Sequence, residues 1–502
     1  MKLPMDELRR HWGDIYDLSC IGSLLNWDQS TYMPPGGAAA RSRQATIVAR
    51  LAHERLIDPA LQLVLDRAEA QTAQLPYDSP DASFVRVARR DVEKATKLPT
   101  EFVERANAHV TALYERWVEA RASDNFALVA DGLERSLELA RTYGGYFPHD
   151  HIADPLVDDA EPGMTVASVR AIFAELRAAL VPLVAAVCAA PPADNAMLTR
   201  HYPKQQQLDF GSMIAGQLGY DFQRGRVDLT HHPFMTRFSL GDIRITTRVD
   251  EHDLGNCLFS MIHETGHALY EQGIDQQFEG TALAGGTSAG VHESQSRLWE
   301  NQVGRSRAYW QHTYPQLQAA FPGRLDDVDA EQFYRAINRV DRSLIRTEAD
   351  ELTYNLHVII RFDLELDLIE GRLAARDLPE AWRERYRSDL GVTPEDDADG
   401  CLQDLHWYSG LVAGSFHGYT LGNLMSAQFY ATALAQHPEI GEQIGRGEFG
   451  TLLSWLRQNI YRYGRGLTAP ELLQRVCGER ISVAPYIGYL RRKYSDLYGL
   501  AL

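Results

Sequence analysis

Apolar residues in the N-terminal half of the chain recur every three or four positions between charged faces, which is the period of an amphipathic helix. Proline and glycine separate these stretches. We therefore predict a series of helices from Pro4 to about Gln217. The pattern is clearest in four stretches, residues 6–25, 38–52, 83–120 and 166–188.

The hydrophobic period changes to two shortly before residue 250. Residues 242–247 alternate polar and apolar side chains, as a half-buried strand does, and Gly241 lies where the chain would turn back on the residues before it. We predict a β-hairpin around Gly241, the one strand pair that the sequence pattern indicates. A short hairpin with polar edges is suited to form one wall of a cleft and to hold an extended peptide by strand addition.

The fold class predicted from these periods is all-α with a small β-hairpin or sheet. From His292 to Leu502 the pattern is helical again, and no repeat of fixed period divides the chain. We therefore predict a single domain over residues 1–502, with a helical N-terminal half (1–230) and a second half (231–502) that carries the chemistry described next.

The second half contains the sequence His263-Glu264-Thr265-Gly266-His267 within an apolar run. On a helix, positions i and i+4 lie one above the other, so both imidazoles can reach one metal ion while Glu264 projects beside it. The pattern predicts a metal site that activates water, with Glu264 as general base. The alternative is a helix on which these side chains are merely packed or solvated.

A catalytic zinc ion usually has three protein ligands and one open position, so a third donor is required. A third histidine of the long H-E-x-x-H-x-x-G-x-x-H type is excluded because Gly273 stands at its position. Glu271 lies about 12 Å along the helix axis from His263, too far to share the ion. Glu293 follows 26 residues after His267, beyond a loop of small residues. We predict His263, His267 and Glu293 as the metal ligands, and for the neighbouring His292 a hydrogen bond or plain packing.

Composition adds limits to this picture. The 502 residues are 45 % hydrophobic and 24 % charged, as in ordinary globular proteins, and the formal charge of −18 disfavours nucleic acid and anionic membranes as partners. Five cysteines without a C-x-x-C pair fit a reducing compartment. We expect no signal peptide, no membrane span and a cytoplasmic location.

Six blocks, taken in order, resemble the thermostable, Taq-type metallocarboxypeptidase family. They are His232-Pro233-Phe234, Asp242-x-Arg244-x-Thr246, His263-Glu264-x-x-His267, His292-Glu293-Ser294-Gln295, Ile345-Arg346-x-x-Ala349-Asp350-Glu351-Leu352-Thr353-Tyr354 and Gly400-x-x-Gln403-Asp404-x-His406-Trp407. Two further segments, around Trp27 and Glu161, extend the resemblance over essentially the whole chain.

The resemblance implies a mostly helical fold with a deep groove, distantly similar to neurolysin and angiotensin-converting enzyme. Residues 1–230 would cover the groove and residues 231–502 would hold the metal site. It also implies a homodimer that uses one zinc ion per chain, or sometimes cobalt, to release C-terminal amino acids from peptides.

A carboxypeptidase must bind a free carboxylate, for which arginine is the best suited side chain. Arg346 is the first candidate, since it begins a polar stripe at helical spacing that continues through Asp350, Tyr354, His357 and Arg361. Arg244 is the second, with an ion pair to Asp242 as its alternative role.

Other polar residues of the matching blocks have candidate roles. His232, His406 and Tyr419 could donate hydrogen bonds to the oxyanion or to the peptide backbone, with a packed core role as the alternative for each. The candidate acceptors for the ligand imidazoles are Asp350, Glu351 and Asp404.

Three functions compete at this point. The leading one is a cytosolic zinc carboxypeptidase acting on peptides with a free C-terminus. The second is an oligopeptidase of related helical type, which would have no terminal carboxylate to bind. The third is a zinc-stabilised scaffold or peptide-binding protein without turnover, for which Glu264 would have no use, because a structural site closes with a fourth ligand.

Overall fold

The computed structural model describes residues 4–502, which form a mostly helical fold with one small sheet. The helices before the sheet are α1 (Pro4–Thr31), α2 (Ala38–Leu56), α3 (Pro59–Thr72), α4 (Pro80–Lys97), α5 (Thr100–Ala122), α6 (Ala127–Gly144), α7 (Asp154–Ala160), α8 (Val166–Cys188) and α9 (Lys204–Leu218). The strands are β1 (Val227–Leu229), β2 (Met235–Ser239) and β3 (Asp242–Thr247).

The remaining helices follow the sheet. They are α10 (Leu254–Gly273), α11 (Ala289–Arg297), α12 (Arg307–Ala320), α13 (Ala330–Ile337), α14 (Tyr354–Ile369), α15 (Leu378–Asp389), α16 (His406–Ser409), α17 (His417–Gln436), α18 (Ile440–Ile444), α19 (Gly450–Asn459), α20 (Ala469–Cys477) and α21 (Ala484–Tyr498). A π-helical segment, Leu298–Val303, continues α11 directly.

Three of the four clearest helix predictions agree with α1, α2 and α8. The prediction of one helix over residues 83–120 is wrong, because the chain leaves the helical conformation between α4 and α5. Leu98 is extended (φ −90°, ψ 118°), since the ring of Pro99 disfavours a helical residue before it, and Pro99 has no N–H to continue the helix.

The sheet confirms the predicted hairpin and enlarges it. β2 and β3 pair antiparallel around Gly241, and β1 adds a parallel partner on the other side of β3, so the strand order is β1-β3-β2. Sequence periodicity did not predict β1, because three residues are too few to show an alternation. The arrangement leaves β2 at the edge of the sheet.

Two hydrophobic cores hold these elements. The larger core contains α10 and most of the second half. The smaller one joins α1, α3 and α4 to Leu240 and to the segment 274–284 just after α10. The N-terminal helices therefore pack against the hairpin and against the loop that leads from α10 to α11.

Helix α8 is long and apolar. In residues 4–502 it alone has the length and mean hydropathy (1.9) of a helix that could cross a membrane, which differs from the expectation of no such stretch. Its apolar face, which includes Phe173 and Leu180, is buried in the larger core against α14 and α21. A core helix meets the same length and composition criteria.

Candidate metal centre

Helix α10 presents the H-E-x-x-H residues from inside the larger core. The side chain of Asp253 accepts a hydrogen bond from the backbone N–H of Asn256 (3.1 Å) and caps the helix start. Gly266 lies against α11: a Cβ atom there would stand 2.6 Å from Cα of Ser296 and 2.7 Å from the carbonyl oxygen of Gln295. Only glycine permits this approach, which brings Glu293 to the two histidines.

The N-terminus of α11 is fixed by a residue far away in sequence. Glu161, only 1 % exposed, accepts hydrogen bonds from the N–H of Gly290 (2.8 Å) and the hydroxyl of Ser288 (2.5 Å). Burial raises the pKa of Glu161 to about 7. The contact ties the segment after α7 to the helix that carries Glu293.

The three predicted ligands meet at one point. One ligand atom each from His263, His267 and Glu293 lie within 4.8 Å of one another. The Oε2 atom of Glu293 is 3.6 Å from Nε2 of His263 and 3.4 Å from Nε2 of His267. Two imidazoles and one carboxylate are the donor set of many catalytic zinc sites, so these residues fit a divalent metal ion and leave a position for water or substrate.

Glu264 lies beside the three ligands and is 5 % exposed. Its Oε2 atom has no hydrogen-bond partner within residues 4–502, while the backbone N–H of Met235 in β2 faces the carboxylate. Burial raises the pKa of Glu264 to about 7, against the lowering effect of His263. A buried carboxylate with a free oxygen beside a metal site is placed to exchange a proton with a bound molecule.

A ring of charged residues holds His263 and Glu293 in place. Nδ1 of His263 is 2.9 Å from Glu300, which lies in the π-helical segment and also binds Arg305 (3.1 Å). Arg297 donates to both Glu293 (2.7 Å) and Glu300 (3.3 Å). Burial alone would raise the pKa of Glu293, but Arg297 and the two histidines hold it well below its ordinary value.

His267 has a different support. Its Nδ1 atom is 2.6 Å from Nδ1 of His292, whose Nε2 is 3.0 Å from Glu271. Glu271 in turn binds Arg237 of β2 (2.6 Å). Burial would raise the pKa of Glu271, but Arg237 and His292 hold it well below its ordinary value. His292 is thus a hydrogen-bond partner of a predicted ligand, which is one of the two roles predicted for it.

The acceptors predicted for the ligand imidazoles were wrong, because all three bind elsewhere. Asp350 accepts from Thr353, Glu351 binds Lys493 and Asp404 binds two arginines. The supporting roles of Glu300, Arg297, Arg237 and Glu161 were not predicted from the sequence. The available signal for the first two was helical spacing, since they follow Glu293 at i+7 and i+4.

Four of the five predicted substrate-binding residues lie in one neighbourhood. Arg346 is 5.2 Å from the ring centre of Tyr419, whose hydroxyl is 3.3 Å from Nε2 of His406. The pKa of His232 is lowered, mainly by partial burial and further by the charges of Arg248, Arg346 and His406. We call Arg346, Tyr419, His406 and His232 the substrate cluster. It lies next to the metal centre: the ring of Tyr419 is 6.5 Å from that of Tyr354, which packs 4.5 Å from Arg297, the hydrogen-bond donor of Glu293.

Arg346 itself is 5 % exposed and donates two hydrogen bonds to Asp404 (3.0 and 2.7 Å) and one to the hydroxyl of Tyr354 (3.1 Å). The predicted helical stripe is wrong at its start: Arg346 lies in a 3₁₀ turn, and α14 begins only at Tyr354.

Arg244, the fifth candidate, is held by other contacts. It gives two hydrogen bonds of 2.8 Å to Asp242 and packs 4.5 Å from the ring centre of Trp27 in α1. Its alternative role, the ion pair with Asp242, is present in the structure.

The fold and the site together define a class of protein. A mostly helical chain that gathers two histidines from one helix, a glutamate from the next and a buried carboxylate with a free oxygen is built as a metallopeptidase. The chain belongs to the carboxypeptidase Taq (M32) metallopeptidase family, whose sequence model matches residues 7–494. The resemblance seen in the six sequence blocks is therefore confirmed, and the protein is a metallocarboxypeptidase.

Known relatives match along the whole chain. Thermostable carboxypeptidase 1 of Thermus thermophilus is 40 % identical over 494 residues, with 96 % of both chains covered. Carboxypeptidase 1 of Bacillus subtilis is 37 % identical over 484 residues, with 95 % of both covered. The crystal structure of the M32 carboxypeptidase from Deinococcus radiodurans R1 has a TM-score of 0.97 and 49 % identity, and covers 99 % of this chain and 100 % of that one. The predicted mostly helical fold with a small sheet is thereby confirmed.

A buried carboxyl that binds Trp407, the neighbour of His406 in sequence, predicts a pH effect on stability. Glu365 is fully buried, accepts a hydrogen bond from Nε1 of Trp407 (2.8 Å), and has a pKa raised by burial to about 8. A carboxyl with a raised pKa stabilises the fold fully below its unfolded pKa and loses that contribution as pH rises through the folded pKa.

We therefore expect the wild type to lose stability relative to Glu365→Gln between about pH 5 and 8, by up to about 1.4 kcal/mol per pH unit. Denaturant unfolding of both proteins across this range measures the difference, with the exposed Glu175→Gln on α8 as the control. An identical pH slope in the wild type and Glu365→Gln would contradict the assignment.

Proposed function

We propose that the protein hydrolyses the last peptide bond of peptides with a free C-terminus, using zinc, or cobalt in its place, held by His263, His267 and Glu293. The observation that carries the proposal is the free Oε2 atom of Glu264, buried beside the three ligand atoms. A non-catalytic scaffold would have no use for such a group.

Glu264 is the general base in this proposal. When bound, the metal ion acts as a Lewis acid that polarises a carbonyl group and makes water easier to deprotonate. Oε2 of Glu264 takes the proton of the attacking water and then passes it to the nitrogen of the departing amino acid. The backbone N–H of Met235, which faces the carboxylate, lowers the pKa of Glu264 and so favours the ionised form that accepts the proton.

The free edge of β2 supports binding of an extended peptide. The carbonyl oxygen of Phe234 accepts from the N–H of Thr246 in β3 (2.9 Å), so the alternate backbone groups, those of Met235 and Arg237, point away from the sheet. The N–H of Met235 faces Glu264, which leaves its carbonyl group and the backbone of Arg237 as the pairing groups. We infer that the substrate pairs with this edge and that its scissile bond passes Glu264.

The substrate cluster supports recognition of the terminal carboxylate. Arg346 and Arg361 share the single carboxylate of Asp404, which leaves an excess positive charge in a buried region. Tyr419 and His406 add hydrogen-bond donors beside Arg346. Arg244 is less well suited, because Asp242 already neutralises it.

The test is the release of single residues from the C-terminus of a peptide and its block by C-terminal amidation. We expect Arg346→Lys to lower kcat/KM for the free-acid peptide about a hundredfold, because lysine cannot reproduce the two parallel hydrogen bonds that a guanidinium gives to a carboxylate. The amidated peptide, which has no terminal carboxylate, should react equally slowly with the wild type and with Arg346→Lys. Arg376→Lys, at an exposed position, is the control.

The comparison variant Arg244→Lys separates the two candidates for the carboxylate. If kcat/KM for the free-acid peptide falls further in Arg244→Lys than in Arg346→Lys, Arg244 becomes the first candidate for binding the carboxylate. Internal cleavage of an amidated peptide would favour the oligopeptidase alternative instead.

We further propose that the protein is a cytoplasmic homodimer that acts on peptides and binds neither nucleic acid nor membranes. The support is the family resemblance for the dimer, the charge of −18 and the five free cysteines for the rest. Light scattering of the purified protein tests the dimer.

A further inference from the structure

A chain of four side chains leads away from the metal-facing side of His267. It runs from Nδ1 of His267 to Nδ1 of His292 (2.6 Å), from Nε2 of His292 to Glu271 (3.0 Å) and from Glu271 to Arg237 (2.6 Å). Its members come from α10, α11 and β2. Glu271 is 3 % exposed, so the carboxylate at its centre is withdrawn from water.

The positions of the protons along this chain follow from its ends. Nε2 of His267 faces Glu293 and is the nitrogen available to a metal, so the proton of a neutral His267 sits on Nδ1. That proton is donated to Nδ1 of His292, which must then carry a lone pair. His292 consequently holds its own proton on Nε2 and donates it to Glu271.

We propose that Glu271 and Arg237 are positioning residues of the metal site: they hold His292 in the tautomer that accepts from His267, and thereby strengthen metal binding. The proposal rests on the metal site of the proposed function. Its physical basis is that a carboxylate behind a ligand imidazole fixes the ring orientation and raises its basicity. Here the carboxylate acts through an inserted second imidazole.

The loop between α10 and α11 gives independent support, because two of its glycines lie directly against these side chains. A Cβ atom on Gly285 would stand 2.7 Å from Nη1 of Arg237, and one on Gly286 would stand 2.6 Å from Cδ2 of His292. The N–H of Gly286 also donates to Glu271 (2.9 Å). Glycine at both positions lets the loop close over the chain and exclude other conformations of its side chains.

The two ligand histidines are therefore supported unequally. His263 contacts its carboxylate, Glu300, directly. His267 depends on Glu271 only through His292, and Arg237 supplies the counter-charge that keeps this carboxylate ionised in a buried place. Loss of the Glu271 charge therefore removes the acceptor that orients His292.

The test measures zinc affinity by competition with a chelator in the full-length protein. We expect Glu271→Gln to weaken zinc binding roughly 10- to 100-fold. Arg237→Met should weaken it similarly, and Arg237→Lys, which keeps the charge, should recover most of the affinity. Exposed Glu175→Gln is the matched control. Metal-free unfolding midpoints of all variants report any purely structural loss.

The outcomes separate this inference from the proposed function. Zinc affinity of Glu271→Gln within twofold of the wild type overturns the inference alone. Equal weakening in Arg237→Lys and Arg237→Met also overturns it, since a role through charge requires rescue by lysine. If the wild type binds zinc no better than Glu293→Gln does, the metal site of the proposed function fails first.

Discussion

Replacing Glu264 with glutamine is expected to remove nearly all peptide hydrolysis while metal content and fold stay unchanged. Glutamine has the shape of glutamate but cannot accept the proton of the attacking water, and general-base catalysis contributes about 10²- to 10⁴-fold to such reactions. The proposed metal ligands are three other residues, so they remain in place. Measurement of kcat together with the zinc stoichiometry checks both halves of the expectation.

The control for this variant is Glu175→Gln, which makes the same chemical change on the exposed face of α8. Wild-type kcat in Glu264→Gln would remove the proposed mechanism. Loss of both zinc and activity would mean that Glu264 supports the metal site and not the proton transfer.

Replacing Glu293 with glutamine is expected to give the opposite pattern, with loss of metal as well as activity. The change leaves two histidines as the only strong ligands. The amide oxygen of the new glutamine can still accept the hydrogen bond from Arg297, so the surrounding contacts are kept. Since a Lewis acid supplies several kcal/mol of transition-state stabilisation, we expect kcat to fall by about 10³-fold or more.

Elemental analysis after dialysis, with kcat measured on the same sample, checks this second expectation. Restoration of full activity by excess zinc would show that Glu293 strengthens binding without being essential for the reaction. Retention of stoichiometric zinc after dialysis would contradict its assignment as a ligand.

Periodicity was sufficient to predict most of the fold, because helices such as α1, α2 and α8 are amphipathic over many turns. It failed where a local rule acts over a few residues. The proline at position 99 divides one continuous pattern into two helices. A polar stripe of helical spacing begins at Arg346, in a 3₁₀ turn that is separate from the helix starting at Tyr354. In both places the polar and apolar side chains keep a helical spacing where the backbone is no longer part of one continuous α-helix.

The local part of the site was predictable, since two histidines four positions apart share one helix face. The contacts around it join distant segments, as Glu161 does with Gly290. No spacing rule connects residues 129 positions apart. Glu271 illustrates the difference: its distance along the helix correctly placed it away from His263, but its contact with His292 depends on how α11 packs on α10.

The contact at Gly266 has a consequence for how the protein acquires its ion. Because α10 and α11 touch through main-chain atoms at Gly266 and Ser296, the spacing between His267 and Glu293 is set when the core forms. Binding of the ion then costs little conformational entropy, because the site is already ordered. Metal loading can therefore follow folding as a separate, reversible step. We therefore expect that a bound divalent ion can be exchanged in the folded protein by dialysis, without unfolding and refolding the chain.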